Sequence, residues 1–324
     1  MTRSHFVPSP MGKPQAAYKP ALSADTQARH AQILGESLPF VQAMHGQTVV
    51  IAFLGQLLFD PAMRQRLVQD VALLALLGIR PVIVQGAAPH FHAPVSTTVG
   101  MMSREAATQV TRASIAEINL ELVRQLNREG VRAVGLSGQD AHWATAVMDD
   151  TDSPRLDQID PSLLILLQSN QMVPVLMSLA PTADEHDYLV QPERFAAQLA
   201  QALHAHSLLL VSNGDLLQQA GIPDGPVERR DMADWLSSHA AAKPASEIRA
   251  ALEAIDRGVP TVHLLDANAP SAIVAELLTN EGVGTVLCRR SGAQLLADTA
   301  RYFHDADSVI RPNFIAERKG VVRF

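Results

Sequence analysis

A few short groupings carry the residue types that could do chemistry in this chain. His90-Phe91-His92 and His204-Ala205-His206 are its only closely spaced histidine pairs. Such a pair can hold zinc if one or two further ligands complete the set. The sequence points to none for either pair, so turn or surface histidines are the reading and no metal is expected. Asp184-Glu185-His186-Asp187 could meet a cation, although so polar a run also makes a plain solvated loop. Cys288 has no activating neighbour in sequence and is expected as a packed strand residue. Met101-Met102, after Gly100, suits either the wall of an apolar pocket or the core.

The remaining chemistry lies in turns. Gly46-Gln47-Thr48-Val49-Val50-Ile51-Ala52-Phe53-Leu54-Gly55 reads as a buried strand ending at a turn, before a helix that opens near Pro61. Ligands of α/β proteins bind at such junctions, at the carboxyl ends of strands. A turn that holds phosphate needs small residues for a close backbone approach, usually with a lysine to hold the charge. Here Ala52 and Leu54 occupy the turn, which keeps the outline of a phosphate site without its chemistry.

The elements that must position these turns recur regularly. Strands are expected over 48–54, 80–85 and 131–136, alternating with helices over 61–77 and about 103–128. Gly78 and Glu129-Gly130 supply the helix stops. This alternation is that of a mostly parallel sheet covered by helices, an α/β fold with three αβα layers. Residues 149–160 read as a loop or hairpin, 172–179, 208–212, 260–266 and 286–288 as strands, and 183–188 as a loop. Helices are expected over 161–169, 192–205, 246–257 and 270–278, with a short one through Trp235. Ahead of the sheet, Ile33, Leu34, Leu38, Val41 and Met44 recur at helical spacing over 24–45. Ser23 suits its N-cap, and Pro39 predicts a kink or break. That helix either packs on its own chain or docks on a neighbouring subunit.

The expected organisation is a disordered arm (1–22), an N-terminal interaction helix (23–46), two lobes (47–180 and 181–288) and a C-terminal extension (289–324) with a helix and a final β-ribbon. At 324 residues, 47% hydrophobic and 18% charged, the chain is globular in composition. A net charge of −7 with no basic cluster argues against a nucleic-acid partner. A single cysteine excludes a disulfide framework and suits a reducing compartment. With neither a signal peptide nor an apolar run of about 20 residues in view, the expectation is a cytoplasmic protein without a membrane partner.

Several segments, in order and with matching spacing, resemble the acetylglutamate kinases of the amino-acid kinase family. They are Glu36-Ser37-Leu38-Pro39-Phe40-Val41 leading to His45-Gly46-Gln47-Thr48-Val49-Val50-Ile51, and Asp70-Val71-Ala72-Leu73-Leu74 through Leu77-Gly78-Ile79-Arg80-Pro81-Val82-Ile83-Val84. Ala133-Val134-Gly135-Leu136-Ser137-Gly138, Ala250-Ala251-Leu252-Glu253-Ala254 and Glu281-Gly282-Val283-Gly284-Thr285 complete the set. The resemblance covers about residues 23–288. It implies an acyl-amino-acid site in the first lobe, an ATP site in the second, and transfer of the γ-phosphoryl group to a side-chain carboxylate. Arginine-inhibited members carry a leading helix that builds a hexamer. A homo-oligomer, dimer or hexamer, formed through 23–46 is therefore implied, with an arginine-pathway enzyme as a further partner.

The departures from the pattern are as informative. The first-strand lysine falls on Ala52, and the following glycine pair becomes Leu54-Gly55. The turn facing substrate and phosphate is Gly86-Ala87-Ala88-Pro89, and the arginine for the substrate's carboxylate aligns with Met101. The lysine after the Ser-Gly turn is Gln139. In the substrate turn Leu189-Val190-Gln191-Pro192-Glu193, only Glu193 keeps the expected acid. On the nucleotide side, beside Gly55, Thr-Asp becomes Ser212-Asn213, and the second catalytic lysine aligns with Glu247, with Lys243 four residues early. Phosphoryl transfer rests on positioning and charge stabilisation, so losing cations at these places removes its means. Glu281, Gly282 and Gly284 suit either an arginine grip, whose usual lysine aligns with Ser207, or a turn that uses glycine for positive φ.

Three functions follow from the resemblance. The first is a catalytically impaired kinase with a binding or regulatory role, for which no cofactor is expected. The second is the kinase-like part of an N-acetylglutamate synthase; about 36 residues follow Cys288, so the acetyltransferase would be a separate chain. Last is an active kinase, using ATP and Mg, whose site is refilled by Lys243, Arg249 or Arg104.

Overall fold

The computed structural model describes residues 24–55, 57–86, 104–150, 153–183, 187–213, 216–242, 244–279 and 282–288. The expected arm, the cap at Ser23, His90, His92, Met101, Met102 and the extension at 289–324 lie outside these residues. So do Ala87, Ala88, Lys243 and Glu281. The chain divides into two compact units, 1–38 and 39–324. Helix α1 (Ala24–Met44) begins in the first and ends in the second. Within the first unit it is tied by Gln32 Nε2 to Glu36 Oε1 (2.7 Å) and by Ser37 Oγ to the Ile33 carbonyl (2.9 Å). Helical structure continues through Pro39, so of the kink or break expected there the break does not occur. A proline removes one backbone donor, which interrupts a helix without always ending it.

The second unit is built on a sheet. Strand β1 (Thr48–Phe53) is followed by α2 (Pro61–Leu76), β2 (Arg80–Gln85), α3 (Arg104–Arg128) and β3 (Arg132–Leu136). Asp60 caps α2, its carboxylate accepting from the Ala62 and Met63 amides, with Pro61 at the first helical position. The hairpin β4 (Ala144–Met148) and β5 (Pro154–Ile159) realises the expected loop or hairpin, before α4 (Ser162–Ser169) and β6 (Met172–Met177). A second hairpin, β7 (Leu179–Pro181) with β8 (Asp187–Leu189), overlaps the expected loop at 183–188. Strands of three residues are too short for alternation to reveal them. Next come α5 (Pro192–Ala202), β9 (Ser207–Ser212), α6 (Leu216–Gln219), β10 (Gly225–Glu228) and α7 (Arg229–Ser238). The described chain ends with α8 (Ala245–Asp256), β11 (Thr261–Asp266), α9 (Ala272–Leu278) and β12 (Thr285–Cys288).

Eight strands form one sheet in the order β10-β12-β11-β9-β1-β2-β6-β3. Every neighbouring pair is parallel except β11 with β12. Alternation within β1 sorts the core. Val50 and Ala52 face one side with Val82, Val84, Leu208, Leu210 and Phe195 of α5. Val49, Ile51 and Phe53 face the other, with Leu67, Val71 and Leu74 of α2 and Ile273 of α9. Helices therefore cover both faces, the three-layer arrangement expected for nearly continuous apolar strands.

Candidate functional site

The carboxyl edge of the sheet gathers most of the described positions that sequence singled out. The order reverses at β1, with β2 on one flank and β9 on the other, and ligands of open α/β sheets sit outside such a reversal. The edge is sewn together by backbone bonds: Leu54 N to Val211 O (2.9 Å), Gly86 N to Phe53 O (2.9 Å) and Ala267 N to Ser212 O (2.9 Å). Gly55 holds φ +63 with open space where a Cβ would stand, so conformation alone demands glycine there. At Gly86 a Cβ would lie 2.5 Å from the Phe53 carbonyl oxygen, so this glycine is required by strand packing whatever it binds. Ala52 is fully buried in the core facing α5.

Two carboxylates stand at helix starts beside this edge. Gln191 is the N-cap residue of α5, and Glu193 lies in its first turn; Glu247 occupies the first turn of α8. Burial pushes the Glu193 carboxyl up, and the negative charge of Glu247 pushes it further; hydrogen bonds from its own amide and from Ser246 oppose the rise. Glu247 is raised as well, chiefly by burial. Ser246 stands with both, its Oγ 2.8 Å from Glu247 Oε2. Each carboxylate raises the cost of ionising the other, so the pair favours holding a proton. Ser246 is the residue that sequence reasoning missed, since a serine beside a helix start gives no distinctive signal.

Ser212 ends β9 and Asn213 follows it at the same edge, half-buried and exposed respectively. Arg249, invoked as a refilling cation, is exposed on α8 two residues after Glu247, a spacing that places side chains on different faces of a helix.

The turn at 282–285 is held from inside. Glu276 of α9 accepts from the Val283 amide (2.7 Å) and the Gly284 amide (3.0 Å) through Oε2. Its Oε1 lies 2.8 Å from His263 Nδ1. A Cβ on Gly284 would stand 2.5 Å from the Leu264 carbonyl oxygen, while Gly282 has φ +51. From His263 the contacts continue to Thr261 Oγ1 (3.3 Å), Ser207 Oγ (2.9 Å) and His206 Nδ1 (2.9 Å). Burial, then the nearby His263, pulls the His206 imidazole down. Glu276 was legible in principle, as an acid on the apolar side of α9 three residues after the buried Ile273.

Elsewhere, Cys288 is a buried strand residue as expected, its thiol pushed up to about 11 by burial and the nearby Glu228. Among the described residues no three His, Cys, Asp or Glu side chains come together as metal ligands. Nor is any described helix long and apolar enough to cross a membrane.

A sheet of this order, covered on both faces by helices and with polar positions at its carboxyl edge, defines an open, mostly parallel α/β fold. The chain belongs to the amino acid kinase family, whose model matches residues 47–266. It is 30% identical over 286 residues to acetylglutamate kinase of Chromobacterium violaceum, covering 82% of this chain and 99% of that protein. The acetylglutamate kinase of Nitrosomonas eutropha is likewise 30% identical over 280 residues, with 79% and 95% covered. Among solved structures, N-acetylglutamate synthase from Neisseria gonorrhoeae superposes with a TM-score of 0.68 at 21% identity, over 89% of this chain and 73% of that one. Carbamate kinase from Giardia lamblia gives 0.55 at 14% identity, over 76% and 99%. At such identities the structural likeness speaks for the fold alone.

Proposed function

We propose that this acetylglutamate kinase-like chain is impaired in phosphoryl transfer and serves arginine metabolism in a binding or regulatory role, as a homo-oligomer. One observation carries the reading: buried Glu193 and half-buried Glu247, each with a raised proton affinity, adjoin the edge where a phosphoryl donor would need cations. ATP phosphates brought there would meet carboxyl groups, and Mg²⁺ would meet ligands that favour a proton. Ala52, sealed in the core, supplies no charge, and Arg249 lies off the face of Glu247. The residues present therefore do not suit ATP and Mg. Glu281, Gly282 and Gly284 are proposed as an arginine-responsive turn, and Gly86, Ala87, Ala88, Met101 and Gln191 as the remnant of the acyl-amino-acid site. Gly55, Ser212, Asn213 and Lys243 are the corresponding remnant on the nucleotide side. Titration calorimetry with a non-hydrolysable ATP analogue and Mg²⁺ tests this. No heat of binding at about 1 mM nucleotide is expected, and micromolar binding sinks the proposal.

The fold of the Neisseria synthase favours a second reading, a kinase-like part working with a separate acetyltransferase. Its test is co-purification with a small acetyltransferase and acetyl transfer from acetyl-coenzyme A to glutamate by the pair.

A further inference from the structure

A separate cavity of about 270 Å³ opens between α3 and the end of the sheet that carries β6 and β3. It is walled by Arg112 of α3 and Asp187 of β8, floored by Met177 and Leu179, and edged by Ser137 and Gln139. Of the described positions matched above to the phosphoryl-transfer pattern, Gln139 alone lines it, at its edge, while Ala52, Gly55, Gly86, Gln191, Glu193, Ser212, Asn213 and Glu247 do not. Across it runs an ion pair, Arg112 Nη2 to Asp187 Oδ2 at 2.6 Å, with the arginine side chain 45% exposed and the aspartate only 10%. We propose that this cavity binds a small α-amino acid with an apolar side chain, the ligand taking the place of the ion pair.

Charge balance argues for such a ligand. A simple anion could take Arg112 but would leave Asp187 unpaired in a half-enclosed wall, and a simple cation would do the reverse. A zwitterion answers both, its carboxylate meeting the guanidinium fork and its ammonium meeting the aspartate. The pair that must open is wetted on its arginine side, and such pairs are held weakly. Met177 and Leu179 offer an apolar surface for a side chain, and at this volume the cavity lies below the range of about 300–1,000 Å³ usual for larger ligands.

Calorimetry on the full chain with L-leucine and L-methionine, alongside N-acetyl-L-leucine and L-leucinamide, tests the assignment. The free amino acids are expected to bind, with both blocked compounds at least about 10-fold weaker. Arg112→Gln and Asp187→Asn should each weaken L-leucine by a similar factor. Ala116→Leu, which narrows the cavity without touching either charge, should also reduce binding and guards against a folding defect in the charge variants. Failure of both amino acids to bind at about 10 mM overturns the proposal, as does binding unaffected by these substitutions. Equal affinity for N-acetyl-L-leucine also overturns it, since that ligand needs no ammonium partner. None of these outcomes depends on whether the chain transfers phosphate.

Discussion

At the scale of single residues, the carboxyl pair of Glu193 and Glu247 gives the sharpest expectation. Both groups are raised in the folded protein, mainly by burial. Their stabilising contribution is therefore fully present below the ordinary glutamate range and is lost as pH rises through the raised values. At neutral pH the folded state carries the cost of ionising them. Glu193→Gln should accordingly raise the melting temperature at pH 7.5 by on the order of 3 °C. It should give little or no gain at pH 4.5, a contrast that scanning calorimetry at the two pH values reads directly. A rise of equal size at both would show that folding leaves the proton affinity of the carboxyl unshifted. A second residue-scale expectation concerns Gly86, where a methyl group would press on the Phe53 carbonyl at 2.5 Å. Gly86→Ala should cost about 1–3 kcal/mol in denaturant unfolding, marking that glycine as a packing requirement.

At the scale of elements, two buried acids hold helix α9 and the turn after it. Asp70 of α2 receives the Ile273 amide at 3.2 Å and so serves the start of α9 from another helix. Its carboxyl is raised by burial, against bonds from Ile273, Val274 and Ser271 that favour the charge. Asp70→Ala should destabilise the fold by about 1–2 kcal/mol in urea, the cost of losing a helix cap. Glu276→Ala leaves the Val283 and Gly284 amides and His263 without that acceptor, and should cost about 2–4 kcal/mol. Hydrogen exchange at Val283 and Gly284 should quicken more than exchange in β1. Neither tie was readable from local pattern. Asp70 and Ile273 lie 203 positions apart, and only the packing of α2 on α9 brings them together. The strands were readable because their apolar runs end at glycines and prolines, whereas the hairpin of β7 and β8 is too short to leave a pattern.

Over the whole molecule, the family and the sheet were legible because they rest on long apolar segments and on spacing that survives substitution. The candidate site was legible only as a set of altered positions: the sequence places Ala52, Glu193 and Glu247 in the right elements. It cannot show that Ala52 is sealed in the core, that Ser246 stands with both glutamates, or that Arg112 and Asp187 meet across a cavity. Those facts arise from burial and from contacts between elements far apart in sequence. The central claim is that this kinase fold does not transfer phosphate. A coupled assay for ADP, with saturating ATP, Mg²⁺ and N-acetyl-L-glutamate and the intact chain, tests it most directly. The account predicts turnover at least about 1,000-fold below the roughly 10 s⁻¹ of an ordinary enzyme. Turnover near that ordinary rate, abolished by Glu193→Gln, would contradict it.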